Sequence, residues 1–113
     1  MKNKISLVIP NSGKDFSDNF INEILKINCD EIFIVGGSIN IINSNPKLKV
    51  IESLKTNNAS INRNKGADLS KSEYLLFIDK DVIVEADYIN KNLIEKELKY
   101  EIIYGIYKEF GAL

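Results

Sequence analysis

An uninterrupted apolar segment followed by two acids constrains the fold of this chain more than any other feature. Residues Tyr74 to Ile78 are all large and apolar, and Asp79 and Asp81 follow them. A strand without alternation of apolar and polar residues is typical of a parallel sheet whose two faces are both covered. In open α/β sheets, ligands bind beyond the carboxyl ends of the strands. The segment therefore predicts a covered strand that delivers two carboxylates to a binding crevice.

Two interpretations of Asp79 and Asp81 are open. Residues two apart on a strand lie on the same side, so both carboxylates can point the same way. Two hard oxygen ligands suit Mg²⁺ or Mn²⁺ carrying a phosphate-bearing substrate. Alternatively, the two acids end the strand and meet water, as Asp often does before a turn.

The rest of the chain alternates between predicted strands and helices. Short apolar runs predict strands at 5–9, 31–35, 48–51 and 101–107, with the third nearer an edge because Lys49 interrupts it. Helical segments are expected after a cap at Ser17 or Asp15, at 39–42 as a single turn, from a cap at Ser60 to about Leu69, and at 88–98 after a cap at Asp87. This alternation predicts an α/β fold, with a mostly parallel sheet and helices on both of its faces.

The composition predicts one globular domain, residues 1–113. Hydrophobic residues make up 44% of the chain and charged residues 27%, and the formal net charge is −1. No run of Lys or Arg is long enough to form a basic stripe, so nucleic acid is not an expected partner. No apolar stretch approaches the ~20 residues needed to cross a bilayer. We therefore expect a cytoplasmic protein without a transmembrane segment.

Histidine and cysteine usage excludes several kinds of site. The chain has no His, which removes Ser-His and Cys-His nucleophile pairs, histidine general bases and His-ligated zinc. A single cysteine, Cys29, excludes an internal disulfide and favours a reducing compartment. Its expected role is packing in the core.

Polar and glycine-containing segments follow the predicted strands. Asn11 follows Pro10 at the end of the first strand, and Gly36 follows the second strand. Glycine at such a place permits either a tight turn or the close approach of a ligand to the backbone, and both interpretations are open. Gly36 and the residues after it lack the full dinucleotide-binding pattern, so a phosphate cradle is only weakly indicated.

The third predicted helix-forming segment, 60–69, carries two cations and a glycine. Arg63 and Lys65 are the cations best placed to bind a diphosphate, Arg63 through its planar fork of donors. They also fit a solvated helix face. Gly66 costs ~1 kcal/mol relative to Ala inside a helix, which indicates close packing as compensation.

Taken in order, these segments resemble the family 2 glycosyltransferases, whose donor-binding half has a Rossmann-like GT-A fold. The segment 7–10 (LVIP) looks like the family's opening strand with its terminal proline, and 32–35 with Gly37 and Ser38 looks like its second strand. The segment 62–67 (NRNKGA) is similar to the family's Ala-Arg-Asn-x-Gly segment, and 72–81 to its strand and D-x-D metal motif. The resemblance covers roughly residues 5 to 90.

The resemblance implies a role for each matching residue. Asp81 would bind a Mn²⁺ or Mg²⁺ ion that bridges the diphosphate of a nucleotide sugar, and Asp79 would lie at the metal and contact the ribose or sugar. Arg63 would help to hold the diphosphate. Pro10 and Asn11 would lie near the nucleoside, with Gly36 also at the substrate. The implied partner is a nucleotide-diphosphate sugar, with a UDP-sugar as one candidate.

The chain departs from the family pattern in two ways. Val35 and Gly36 stand where the family usually has acidic residues, one of which contacts the nucleobase. The family's acceptor-binding half and catalytic base come after the fifth strand, so we expect a truncated domain whose catalytic residue is not assigned. Self-association through its last strand would cover an exposed edge. The alternative is a catalytically degenerate module that binds a nucleotide or another protein.

Overall fold

A computed structural model describes residues 5–11, 16–36, 45–52, 58–79 and 83–94. Within these ranges the chain forms the following elements in order: β1 Ile5–Pro10, α1 Asp18–Leu25, β2 Glu31–Val35, β3 Leu48–Ile51, α2 Ala59–Leu69, β4 Tyr74–Phe77 and α3 Ala86–Ile89, which continues into a π-helical turn, Asn90–Ile94. The predicted helical turn at 39–42, the helix beyond residue 94 and the strand at 101–107 lie outside the described residues.

The described strands form one parallel sheet in the order β3-β2-β1-β4. β1 lies between two neighbours, so that Leu7 is aligned with Ile32 on one side and with Leu76 on the other. Among the described strands β3 pairs only with β2, at the edge of the sheet, as the interruption by Lys49 predicted. The predicted α/β fold with a parallel sheet is confirmed.

Helices cover both faces of the sheet. The main core lies between the sheet and the helices α1 and α3, and its large, fully buried members include Leu7, Ile9, Ile24, Ile32 and Ile34. On the opposite face, α2 packs over a smaller cluster formed by Val8, Phe33 and Val35. Alternate residues of β1 therefore serve two cores, which is why its sequence is apolar almost throughout.

The prediction that both faces of β4 are fully covered is wrong for part of the strand. Leu76 is 3% exposed on the main-core face, whereas Phe77 is 38% exposed. Among the described strands β4 pairs only with β1, so one of its edges has no partner within those strands. A continuous apolar run indicated the strand correctly but overestimated how much of it is buried.

The cap predicted for α1 is confirmed, whereas the cap predicted for α2 is wrong. Ser17 caps α1, and its Oγ accepts the N–H of Phe20 at 3.1 Å. The prediction that Ser60 caps α2 is wrong, because α2 already begins at Ala59. The Oδ1 of Asn58 caps it instead, accepting a backbone N–H at 3.1 Å. Asn is at least as good a cap as Ser, so the earlier residue was an equal candidate.

The prediction that Asp87 caps the helix expected at 88–98 is also wrong. This helix, α3, begins at Ala86, and Asp87 lies in its first turn. The N–H of Ala86 donates to Oε1 of Glu23 on α1 at 3.2 Å. A carboxylate from another helix thus satisfies one of the N–H groups that a local cap would satisfy. In the π-helical turn, Asn90 Nδ2 donates to the carbonyl of Lys26 at 3.1 Å and fastens this segment to the end of α1.

Cys29 packs against the main core and is only partly buried, in agreement with the predicted packing role. Burial raises the pKa of its thiol to about 11, although the neighbouring Lys47 opposes this shift. The thiol is therefore neutral at pH 7 and behaves as a small apolar group.

The amino-terminal ends of the strands are joined by a network around the hydroxyl of Ser6, a residue with no exposed surface. Its Oγ lies 2.8 Å from Glu31 Oε2, 2.8 Å from Ser72 Oγ and 2.6 Å from Ser70 Oγ. A hydroxyl donates once and accepts twice. We therefore assign the donated bond to the Glu31 carboxylate and the two accepted bonds to the serines. Lys49 Nζ lies 3.2 Å from the other Glu31 oxygen.

We predict that Gly66→Ala destabilises the protein although Ala is the better helix former. A Cβ at this position would lie 2.5 Å from Val8 Cγ1 and 3.2 Å from Cγ2. Overpacking of this kind typically costs about 1–3 kcal/mol, more than the ~1 kcal/mol gained in helix propensity. Urea unfolding measures the change. The exposed Asp68→Ala on the same helix is the control, and an unchanged or higher midpoint for Gly66→Ala would contradict the close contact.

We predict that Glu31→Gln removes part of the stability only above acidic pH. Burial is the largest influence and raises the pKa of Glu31. The effect of burial is outweighed by hydrogen bonds from Ser6, Lys49 and the Lys71 N–H and by the charge of Lys49. Together they hold the pKa of Glu31 below its ordinary value. A lowered folded-state pKa means that the stabilisation is present above the unfolded-state pKa, about 4.3, and is lost as the pH falls through the folded-state value.

Thermal melting between pH 7 and pH 3 tests this. Wild type should exceed Glu31→Gln by about 1 kcal/mol at pH 7, and the gap should close in acid. The exposed Glu73→Gln should track wild type throughout. A gap that stays constant down to pH 3 would show that the ionised carboxylate contributes nothing.

Candidate functional site

The order of the strands predicts a ligand-binding crevice at the carboxyl ends of β1 and β4. From β1 the sheet extends to β2 and β3 on one side and to β4 on the other, and α1 and α2 pack on opposite faces. In open α/β sheets, ligands bind beyond the carboxyl ends of the strands where the strand order reverses in this way. Asn11 directly follows β1, and Asp79 follows β4 by two residues. Both residues therefore lie at the edge of the sheet where ligands bind in such folds.

An ion pair joins α2 to the end of β4 at this crevice. Arg63 Nη2 donates to Asp79 Oδ1 at 2.6 Å, and the two side chains are 35% and 40% exposed. The structure thus brings together two of the residues that the sequence predicted to share a site. A half-exposed pair contributes only roughly 0–1 kcal/mol to stability. An incoming phosphate or cation can therefore replace either partner at small cost.

The other predicted site residues lie in different surroundings. Pro10 is the last residue of β1 and is buried, as is Asn11. Lys65 is exposed, about 200° around the helix from Arg63, and this fits the interpretation of a solvated position. Asp81 lies outside the described residues, and its role stays a prediction. Within the described ranges, no three Cys, Asp or Glu side chains gather as a metal-binding group.

Asp79 has the chemistry that a divalent cation requires of a protein ligand. Its carboxylate is a hard oxygen donor and is 40% exposed, so it is open to an ion from solvent. Mg²⁺ usually keeps several waters and takes one or two carboxylates together with substrate phosphates. A site that combines Asp79 with Asp81 and a diphosphate fits this pattern without a third protein ligand.

Beside the ion pair, a chain of hydrogen bonds ties three strand ends to α2. Asn62 Nδ2 donates to the Asn11 carbonyl at 3.3 Å, and Asn11 Nδ2 donates to the Gly36 carbonyl at 3.2 Å. The backbone N–H of Asn11 donates to Val35 O at 2.7 Å, and that of Gly36 donates to Ile51 O at 2.9 Å. We call Asn11, Gly36 and Asn62 the amide cluster. It fixes the ends of β1, β2 and β3 to one another and to α2.

Gly36 has a backbone conformation and surroundings that exclude other residues. Its φ of 115° is strained for a residue with a Cβ. An added Cβ would also lie 2.5 Å from the Asn11 carbonyl oxygen and would collide with the Asn62 carboxamide. The Asn62 side chain therefore fills the space over Gly36. This gives a physical reason why a carboxylate cannot stand at position 36 in this chain.

Sequence analysis did not assign a role to Asn62, which is 1% exposed. It entered only as part of the segment that resembles Ala-Arg-Asn-x-Gly. One indication was available, because Asn62 lies four residues before Gly66 and so occupies the same helix face. A helix face that approaches the sheet closely at Gly66 must also bury the side chain one turn earlier.

The family assignment follows from comparison with known proteins. The sequence model of Glycosyl transferase family 2 matches residues 11–111. The chain belongs to glycosyl transferase family 2. This confirms the family resemblance, and the match includes the segments 32–38 and 62–81 on which it was inferred, whereas 7–10 lies before the matched residues. The parallel sheet with helices on both faces agrees with the Rossmann-like GT-A fold expected of the family. No solved structure matches the chain significantly.

A curated relative of this family 2 chain is the poly(ribitol-phosphate) beta-N-acetylglucosaminyltransferase TarP of Staphylococcus aureus (strain N315), which is 29% identical over 124 residues. The match covers 92% of this chain and 36% of the relative. The chain thus spans about one third of the length of the relative. No helix among the described residues has both the length and the apolar content required to span a membrane.

We predict that Gly36→Ala lowers the free energy of unfolding by roughly 2–4 kcal/mol, because backbone strain adds to the collision with Asn62. Urea unfolding measures the loss. The double variant Gly36→Ala/Asn62→Ala removes the collision with Asn62 but keeps the strain and the contact with the Asn11 carbonyl, so it should lose less stability than the sum of the two single variants. Additive losses would mean that the two side chains do not compete for the same space.

Proposed function

We propose that this family 2 chain binds a nucleotide-diphosphate sugar in the crevice between β1 and β4 and takes part in transfer of the sugar to an acceptor. The observation that carries the proposal is the Arg63–Asp79 ion pair at the reversal of strand order. It combines a fork of cationic donors, which suits a diphosphate, with a carboxylate, which suits a divalent cation.

Each site residue has a proposed task. Arg63 binds the diphosphate through its planar fork and orients it across the crevice. Asp79 and Asp81 hold a Mn²⁺ or Mg²⁺ ion, and Asp79 also contacts the ribose or sugar. Pro10, Asn11 and Gly36 border the nucleoside. When bound, the ion would neutralise the charge that develops on the leaving diphosphate.

The name of the relative suggests which ligands to test first. It is a beta-N-acetylglucosaminyltransferase that acts on poly(ribitol-phosphate). We therefore propose a nucleotide-linked N-acetylglucosamine, with uridine as the first base to test, as the donor and a polyol-phosphate chain as one acceptor candidate. A reducing, cytoplasmic location remains the expectation from the single Cys29.

A second candidate function is a catalytically degenerate module that binds a nucleotide or another protein. One observation favours it. Val35 and Gly36 replace the acids that the family usually carries at the nucleobase. Such a module would keep donor binding but would not transfer the sugar.

Calorimetry against a panel of nucleotide sugars, with and without Mn²⁺, tests the proposal. We expect binding that requires the metal, and we expect Asp81→Asn to abolish it. Arg63→Lys should weaken binding by about 10-fold to 100-fold, because a charged hydrogen bond contributes about 1.5–3 kcal/mol. The exposed Lys65→Ala on the same helix is the matched control and should bind as wild type does.

The outcomes separate the two candidate functions. Metal-dependent binding accompanied by donor hydrolysis or sugar transfer supports the transferase. Nucleotide binding that does not need the metal, without any turnover, supports the module. The absence of binding to every nucleotide sugar, with a normal melting temperature, would exclude a donor site in this chain.

A further inference from the structure

We propose that Asn62 is a positioning residue for the nucleoside end of the donor. This inference rests on the proposed donor site, and it assigns a separate task to the amide cluster beside the Arg63–Asp79 pair. Arg63 acts on the diphosphate, whereas Asn62 fixes the strand ends that border the nucleoside. The two neighbouring residues of α2 would thus serve the two ends of one ligand.

The hydrogen bonding of the Asn62 carboxamide fixes its orientation. Its Nδ2 donates to the Asn11 carbonyl at 3.3 Å, and the reverse orientation would set two carbonyl-type oxygens against each other. The bond joins residues 51 apart in the sequence and is buried. Asn62 therefore determines where α2 holds the residue that follows β1.

Hydrogen bonds connect Asn62 through Asn11 to the end of β2. The Asn11 carbonyl accepts the hydrogen bond from Asn62. The Asn11 side chain in turn donates a hydrogen bond from Nδ2 to the Gly36 carbonyl at 3.2 Å. Gly36 is also covered directly by the Asn62 carboxamide. Two of the three residues that border the proposed nucleoside position, Asn11 and Gly36, are thus held by one side chain. Removal of that side chain deletes the buried bond to the Asn11 carbonyl and opens space over Gly36.

The Asn62 side chain also has a destabilising feature. Its Oδ1 is buried and has no hydrogen-bond partner among the described residues. A buried polar atom without a partner is destabilising, and in a native structure it calls for an explanation. The family segment that 62–67 resembles has Ala at this position, which would avoid the cost. The presence of a carboxamide at this position is explained if its Nδ2 is needed to fix Asn11 in place.

The test compares a ligand that has a nucleoside with one that does not. Affinities for the nucleoside diphosphate that wild type binds best, and for inorganic pyrophosphate as its competitor, are measured with Mn²⁺ for wild type, Asn62→Ala and Arg63→Lys. For Asn62→Ala we expect the Kd of the nucleotide to rise about 5-fold to 10-fold, the effect of one hydrogen bond, and that of pyrophosphate to change less than about twofold. Arg63→Lys should weaken both ligands.

Controls distinguish positioning from folding. The exposed Asp68→Ala on α2 should match wild type for both ligands, and melting curves establish that each variant is folded at the temperature of the assay. If Asn62→Ala melts too low, Asn62→Ser is used, since its shorter side chain also fails to reach the Asn11 carbonyl. It should show the same selective loss.

The possible results lead to different conclusions. Equal weakening of nucleotide and pyrophosphate by the Asn62 variants, or no weakening of either, overturns the inference and leaves the proposed function intact. If wild type binds no nucleotide, or if pyrophosphate does not compete with the nucleotide, the proposed donor site fails and this inference fails with it. Selective loss of nucleotide affinity supports the positioning role.

Discussion

The close approach of α2 to β1 is the constraint on which the candidate site depends. It is possible because Gly66 has no side chain where it meets Val8. One turn earlier on the same helix face, this approach buries Asn62 against the residue that follows β1. Arg63, the next residue, is thereby brought within hydrogen-bonding distance of Asp79. A contact between one glycine and one valine thus determines where the polar groups of the crevice lie.

Polar networks secure the sheet at both ends, but the two networks differ in chemistry. At the amino-terminal edge, Ser6 and Glu31 form a network whose donors and acceptors are matched and whose carboxylate is ionised at neutral pH. At the carboxyl edge, neutral amides hold the strand ends, and one buried acceptor, on Asn62, has no partner among the described residues. Full satisfaction is typical of a structural role, whereas an unsatisfied group next to a crevice is typical of a functional one.

Local patterns in the sequence were enough to predict the described strands and the approximate extents of α1 and α2, because apolar runs and capping residues act over short distances. The helix α3 was predicted, but its cap was not, because the N–H of Ala86 in its first turn donates to Glu23, 63 residues away in the chain. Arg63 and Asp79 were both predicted to lie at a diphosphate site, but their ion pair was not predicted. The role of Asn62 could not be read from its residue type, since it arises from the distance between a helix and a strand.

The ion pair between Arg63 and Asp79 has a consequence for the energetics of ligand capture. Under the proposed function, each partner must release the other before it can engage a ligand. A cation on Asp79 frees the guanidinium for the diphosphate, and a diphosphate on Arg63 frees the carboxylate for the cation. Each ligand then raises the affinity of the other by the same factor, as thermodynamic linkage requires. The half-exposed contact would therefore act as a source of heterotropic cooperativity within a single crevice.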